Sequence, residues 1–172
     1  MKNNVCSSCG KAKANLSCGL CHTVICKSCA QFIEPDQFSF LPKVPKDLSY
    51  SVYCDSCFTN QVSSEIESYN QKMTAAKNVA VYLKKQSKET RLIKRTELPV
   101  QVTDCPDHDE AILRLAFLAI LANCNSIVDV QLTSKKTRTG SYQSLLWSGS
   151  ALPANIDESQ LIKDRSFWHN PN

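Results

Sequence analysis

The stretch Cys18-Gly19-Leu20-Cys21-His22-Thr23-Val24-Ile25-Cys26-Lys27-Ser28-Cys29 decides the fold of this chain, because it holds two Cys-x-x-Cys pairs only four residues apart. One further pair precedes it, Cys6/Cys9, and one follows it, Cys54/Cys57. A thiolate is a favoured ligand of Zn²⁺, which takes four ligands in a tetrahedron. Eight paired cysteines therefore predict two complete Cys₄ sites and two Zn²⁺ per chain.

The four pairs can be assigned to two metal ions in two ways. Because only four residues separate Cys21 from Cys26, the second and third pairs lie back to back, which favours an interleaved arrangement. The two ligand sets are then Cys6, Cys9, Cys26 and Cys29, and Cys18, Cys21, Cys54 and Cys57. The sequential arrangement is the alternative, and it would leave the long loop 30–53 poorly tethered.

The spacing C-x2-C-x8-C-x2-C-x4-C-x2-C-x24-C-x2-C resembles that of the cross-braced FYVE-type zinc fingers. Residues 18–29 and the segment Val52-Tyr53-Cys54-Asp55-Ser56-Cys57-Phe58 are similar to the second half and the end of that family. The resemblance covers residues 5 to about 60 and implies the interleaved double-zinc fold. It does not extend to the three signatures with which the family binds phosphatidylinositol 3-phosphate. The matching positions are residues 1–5, residues 15–19 and Val52, and they lack the residues of those signatures.

RING fingers share the cross-brace and are the second candidate for this finger. Most of them use a histidine among the metal ligands, whereas His22 directly follows Cys21 and is one residue out of register. The four-residue gap before Cys26 also fits the FYVE type better. We therefore expect a FYVE-like finger that lacks the lipid-binding signatures.

The rest of the sequence points to a cytoplasmic protein. Residues 1–5 form no apolar signal segment. The longest apolar run, Ala111 to Ala122, contains Arg114 and is shorter than the roughly 20 residues that cross a bilayer. Thiolate zinc sites without an export signal indicate a reducing compartment.

The formal net charge of +4 does not predict a nucleic-acid partner. Ionisation of eight ligand thiolates and the gain of two Zn²⁺ would bring the formal charge of the loaded chain to about 0. Local basic clusters are left as candidates for binding an acidic partner or an anionic membrane. One contains Lys84, Lys85, Lys88, Arg91, Lys94 and Arg95, and the other contains Lys135, Lys136 and Arg138.

The loop from Phe32 to Tyr53 contains three prolines and the apolar residues Phe38, Phe40 and Leu41. Its prolines exclude a long helix. We expect the aromatic side chains to pack inward over the zinc knuckles. An exposed tip that binds a partner or inserts into a membrane is the alternative.

A helical stripe follows the finger. Residues 58, 62, 66, 69 and 73 are apolar at steps of three or four, which predicts a helix from Ser56 to about Lys77. The chain is therefore divided into a FYVE-like finger over 1–60, a linker helix over 61–77, an α+β domain over 78–153 and a polar tail over 154–172.

The third segment predicts an α+β fold of the order β-β-α-β-β. Residues 78–83 and 90–95 are expected to form one hairpin, with 100–102 continuing the second strand or forming a third. Asp107 to Ala122 is the clearest helix, with an N-terminal cap at Asp107 and Glu110. Residues 126–133 and 142–151 are expected to form a second hairpin around Gly140.

The segments 119–130 and 146–151 resemble small bacterial YbjQ-type domains. That family forms rings, so the resemblance implies a homo-oligomer through the C-terminal domain, and metal binding has been suggested for it. The open edges expected for a small sheet agree with self-association.

Cys105 and Cys124 are outside the zinc set and flank the predicted helix, too far apart to pair. A thiol- or metal-dependent enzyme built on Cys105 and His108 is an alternative function, but no base or oxyanion motif accompanies them. The main expectation is a non-catalytic zinc-binding adaptor with an unknown protein partner and no specific nucleic acid. A peripheral membrane protein that binds anionic lipid is the second candidate.

Overall fold

The computed structural model describes residues 5–12, 14–86, 90 and 93–157. The chain divides into two compact units, Met1–Gln71 and Lys72–Asn172. Short two-stranded ladders belong to the first unit and a four-stranded sheet belongs to the second. The predicted mixed α+β class is confirmed.

Two short antiparallel ladders build the first unit. Strand β1 (Leu16–Ser17) pairs with β2 (Val24–Ile25), so this ladder brackets the second cysteine pair. Strand β3 (Ala30–Phe32) pairs with β4 (Val52–Cys54), with Ala30 opposite Cys54. The ladders therefore bring cysteine pairs that are distant in sequence next to one another.

The predicted helix after the last cysteine pair is present and is interrupted by a wider turn. It begins with a single turn, α1 (Asp55–Cys57), continues as a π-helical turn over Phe58–Val62, and ends with α2 (Ser63–Ala76). The apolar stripe faces inward at Val62 and Tyr69. The ring of Tyr69 packs edge-on against Phe38, with 5.3 Å between the ring centroids.

The loop between β3 and β4 buries three of its apolar side chains. Ile33, Phe38 and Leu48 are buried, and Leu48 ends a 3₁₀ turn over Lys46–Leu48. Tyr53 is fully buried, and its hydroxyl donates to the carbonyl of Asp47 at 2.9 Å. The inward packing expected of the loop aromatics thus holds for Phe38.

The second unit contains one sheet with strand order β5-β7-β8-β6. Strands β6 and β7 are antiparallel to β8, whereas β5 is parallel to β7. The four strands are β5 (Ala80–Leu83), β6 (Val100–Cys105), β7 (Ser126–Thr139) and β8 (Tyr142–Ala154). The second predicted hairpin is therefore present, and each of its strands extends three or more residues beyond the predicted end.

The first predicted hairpin, residues 78–83 with 90–95, is wrong. Strand β5 pairs instead with β7, and a 3₁₀ turn over Lys84–Gln86 follows it. Thr90 is fully buried. The side chain of Arg95 forms an ion pair with Asp129, and its backbone forms one isolated antiparallel β-bridge with Ala154. The described part of the predicted second strand, residue 90 with residues 93–95, is irregular, because its polar groups have tertiary partners that a hairpin would not supply.

Some predicted features lie outside the described residues. These are Met1–Asn4 ahead of the first cysteine, Lys88 and Arg91 of the first basic cluster, and the polar tail from residue 158 onward.

Helix α3 (His108–Leu121) forms as predicted. Asp107 caps it, since its carboxylate accepts the backbone N–H of Glu110 at 2.7 Å. Leu115 and Phe117 are fully buried. A side chain at Gly149 on β8 would meet Leu115 and Leu132, so α3 lies directly against this part of the sheet.

Candidate metal centres

The structure brings the eight paired cysteines together as two quartets. Within each quartet all four Sγ atoms lie within 4.8 Å of one another. The quartets are Cys6, Cys9, Cys26 and Cys29, and Cys18, Cys21, Cys54 and Cys57. These are the two sets of the interleaved arrangement, so the first and third pairs share one centre and the second and fourth share the other.

The sulfur–sulfur distances fit a tetrahedral metal site. The Sγ atoms of Cys9 and Cys26 are 3.7 Å apart, and those of Cys21 and Cys54 are also 3.7 Å apart. Four sulfurs at about 2.3 Å from a central Zn²⁺ would be separated by about 3.8 Å. All ten cysteines lie among the described residues and are free thiols. The donor set therefore fits a thiophilic ion that takes four ligands.

The first two cysteine pairs form knuckles with the same backbone hydrogen bonds. Gly10 follows Cys9, and its N–H donates to the carbonyl of Cys6 at 2.9 Å. His22 follows Cys21, and its N–H donates to the carbonyl of Cys18 at 3.0 Å. Both residues have positive φ, 70° at Gly10 and 60° at His22. The histidine therefore closes an exposed turn and belongs to neither sulfur quartet.

The last two cysteine pairs form the helical halves of the sites. Cys29 ends a 3₁₀ turn over Lys27–Cys29, and its N–H donates to the carbonyl of Cys26. Cys54 caps helix α1, and its Sγ accepts the N–H of Cys57 at 3.4 Å. Each centre thus combines one knuckle with one helical turn. A backbone N–H directed at sulfur also stabilises the thiolate that a metal requires.

Hydrogen bonds and crowding shift the pKa values of the thiols in opposite directions. The N–H of Cys26 lowers the pKa of Cys6 to about 6, and the Thr23 hydroxyl lowers the pKa of Cys21 to about 6. The neighbouring Cys9 thiol raises the pKa of Cys29 to about 12, and burial raises the pKa of Cys57 to about 12. Neighbouring thiolates repel one another, so a bound cation would be needed to keep all four ionised.

Several residues that support the centres were not singled out by the sequence. The Ser28 hydroxyl lies 3.1 Å from Cys26 Sγ, and the Thr23 hydroxyl lies 3.0 Å from Cys21 Sγ. Gly19 lies beneath the ring of Tyr50, where a Cβ would overlap the tyrosine. Ser28 could have been identified from the sequence, since the last two cysteine pairs read Cys-Lys-Ser-Cys and Cys-Asp-Ser-Cys. No sequence pattern indicates Tyr50, because its contact with Gly19 depends on the folded loop.

Cys105 and His108 do not form a third centre with the aspartates beside them. Among the described residues the two sulfur quartets are the groups with metal-binding geometry. Cys105 is buried at the end of β6, and burial raises the pKa of its thiol. His108 hydrogen-bonds Asp109 at 3.0 Å and packs edge-on against Trp147. Cys124 is buried as well, and burial raises its pKa.

The two predicted basic clusters have different outcomes. Arg95 of the first is paired with Asp129, and Lys84 donates to the side chain of Gln131 at 3.2 Å. Among the described residues, β5 pairs with β7 and forms no hairpin that would gather this cluster. Lys135, Lys136 and Arg138 of the second cluster lie together near the tip of the β7–β8 hairpin, and all three are exposed.

Within the described residues no helix has the length and apolar character required to cross a bilayer. Comparison with known proteins finds no match, neither to a family model, nor to a curated protein, nor to a solved structure. The assignment of a function therefore depends on the chemistry of the two sulfur quartets and on the surfaces of the two units.

Proposed function

We propose that this protein is a non-catalytic zinc-binding adaptor whose FYVE-like finger holds two Zn²⁺ and presents surfaces to a protein partner. The observation that carries the proposal is the pair of interleaved sulfur quartets with tetrahedral spacing. Each quartet supplies all four ligands from the protein. Such closed sites are typical of structural zinc, whereas catalytic zinc keeps one position open for water or substrate.

The surroundings of Cys105 and His108 support a binding role for the second unit. A reactive cysteine is partly exposed and has a lowered pKa, whereas Cys105 is buried and its pKa is raised. Its Sγ lies 3.8 Å from the carbonyl of Thr103. His108 is engaged by Asp109 and Trp147. These contacts favour a structural role for both residues.

Two features favour a protein partner over a phosphoinositide for the finger. The positions at which FYVE domains carry their basic lipid-binding residues are occupied here by Asn15-Leu16-Ser17-Cys18-Gly19 and Val52. The loop that would have to insert into a bilayer keeps Phe38 and Leu48 buried. Exposed lysines such as Lys43 would give only weak, salt-sensitive attraction to anionic lipid.

The proposal is tested by two measurements on the full chain. Reconstitution with Co²⁺ should give two equivalents of the absorption typical of tetrahedral cobalt thiolate, and Zn²⁺ should displace both. In flotation, vesicles containing phosphatidylinositol 3-phosphate should retain no more protein than vesicles with the same charge in phosphatidylserine. Salt-resistant flotation selective for the 3-phosphate, and lost in Cys18→Ser, would replace the adaptor function by membrane recruitment.

A further inference from the structure

The β7–β8 hairpin extends well beyond the rest of its sheet. Strand β5 pairs with β7 only as far as Val130, and β6 pairs with β8 only from Trp147 onward. We call residues 133–146 the hairpin arm. Among the described residues no further strand lies along either outer edge of the arm. Its outward N–H and C=O groups are therefore free to pair with an added strand.

The hairpin arm carries positive charge alone. Lys135, Lys136 and Arg138 are exposed, and residues 133–146 contain no aspartate or glutamate. In the part of the chain that the structure describes, none of the three cations forms an ion pair. Arg138 donates only to the carbonyl of Gly140, at 3.2 Å. The charges of the arm are thus available to an acidic ligand.

One face of the hairpin arm, continued to Trp147 on β8, forms a shallow groove of apolar and polar side chains where helix α3 begins. Side chains alternate along a strand, so residues 143, 145 and 147 share the face that Gly149 turns toward α3. The ring of His108, at the start of α3, lies 5.1 Å from that of Trp147. Beyond this contact a groove of about 500 Å³ is left between the arm and Pro106. Leu145 lines the groove and is 44% exposed.

We propose that the hairpin arm binds an extended acidic segment of a partner protein, which adds as a strand to its edge and places an apolar side chain in the groove. Strand addition takes affinity from main-chain hydrogen bonds and specificity from pockets for alternate side chains. The open strand edge would supply the main-chain hydrogen bonds, and the groove beside Leu145 would supply the side-chain pocket. Lys136 lines the same groove and would pair with a flanking carboxylate.

Other occupants fit the hairpin arm less well. A second copy would bring the same three cations to the same edge, and like charges would oppose the pairing. An anionic bilayer would also attract the three cations, but it offers no main-chain groups to pair with the open strand edge. Stacking of single-stranded nucleic acid needs aromatic rings in a row, but Tyr142 and Trp147 lie on opposite faces of β8.

The inference rests on the proposed adaptor function, and it is tested on the zinc-loaded 172-residue chain with a random-peptide display library. We expect selection of peptides in which aspartate or glutamate flanks an aliphatic or aromatic residue. The selected peptide should bind Lys136→Glu/Arg138→Glu at least about tenfold more weakly. The matched control is Lys43→Glu/Lys46→Glu, an equal charge change at exposed positions of the first unit, and it should keep the affinity.

A second pair of variants tests the groove. Leu145→Ser should lose most of the peptide affinity, whereas Leu98→Ser, at a leucine that is 80% exposed, should keep it. Failure to select any acidic peptide, or equal affinity in the Lys136→Glu/Arg138→Glu variant, would overturn the inference. So would arm-dependent binding to phosphatidylserine vesicles or to poly(U) RNA without any selected peptide. Zinc content, measured on the same samples, reports separately on the adaptor finger.

Discussion

The first unit gathers its eight paired cysteines into two sulfur quartets, whereas the second unit gathers an apolar helix onto a four-stranded sheet. In the first, three of the buried residues are themselves members of the quartets, Cys6, Cys18 and Cys54. In the second, Leu115 and Phe117 of α3 are buried together with Ile127 and Val128 of β7. We infer that the first unit depends on metal for its folding free energy and that the second depends on apolar burial.

Removal of one cysteine pair should have the largest effect, and it should act on the first unit alone. In Cys54→Ser/Cys57→Ser, we expect loss of the second ion and unfolding of the finger, because structural zinc contributes on the order of 10 kcal/mol in small domains. Zinc content and two-dimensional NMR spectra would measure the result. The matched control, Cys105→Ala/Cys124→Ala, should retain two ions. A finger that stays folded without the fourth pair would break the distinction between the two units.

A core substitution in α3 should act on the second unit alone. Leu115→Ala removes a fully buried side chain and should lower the free energy of unfolding of that unit by about 2–5 kcal/mol, with no loss of zinc. Leu98→Ala, at an exposed leucine, should change it by less than about 0.5 kcal/mol. Urea titration followed by tryptophan fluorescence would measure both. Loss of zinc from Leu115→Ala would show that the units do not depend on separate sources of stability.

Within the finger, a side chain should be unfavourable at Gly19 and at Gly10 for different physical reasons. Gly19→Ala places a Cβ into Tyr50, so we expect about 1–3 kcal/mol of destabilisation and weaker zinc retention against a chelator. A Cβ at Gly10 meets nothing, but its φ of +70° costs an alanine about 1 kcal/mol. Competition with a chromogenic chelator would rank the two variants. If Gly10→Ala were the weaker binder, the Tyr50 contact would be unimportant.

The smallest effect should come from His22, which holds the turn position that glycine holds in the first knuckle. His22→Gly should relieve the left-handed strain and stabilise the finger by up to about 1 kcal/mol. Gly10→His, the reciprocal change, should destabilise it by a similar amount. Thermal unfolding of the zinc-loaded protein would detect both shifts. A loss of zinc from His22→Gly would instead indicate that the histidine contributes to metal binding.

The sequence predicted those parts of the molecule that depend on short-range chemistry. Pairs spaced as Cys-x-x-Cys indicated the two quartets, and the cap at Asp107 indicated the start of α3. The hairpin around Gly140 was also visible, because its strands are adjacent in sequence.

The predicted hairpin of residues 78–83 with 90–95 failed because strand β5 pairs with a partner that is distant in sequence. Strand β5 is only four residues long, and its parallel partner β7 begins more than forty residues later, so no local pattern indicates the pairing. The ion pair of Arg95 with Asp129 is equally non-local. Asp129 has a φ of 54° at an irregularity in β7, whereas the sequence predicted a regular strand over residues 126–133.

Elemental analysis of the 172-residue chain, purified without chelator, tests the central claim most directly. The two interleaved quartets predict two zinc ions per chain, and native mass spectrometry should show both leaving together with the loss of the folded finger on chelation. One ion per chain, or none, would contradict the account, as would a finger that remains folded after both ions are removed.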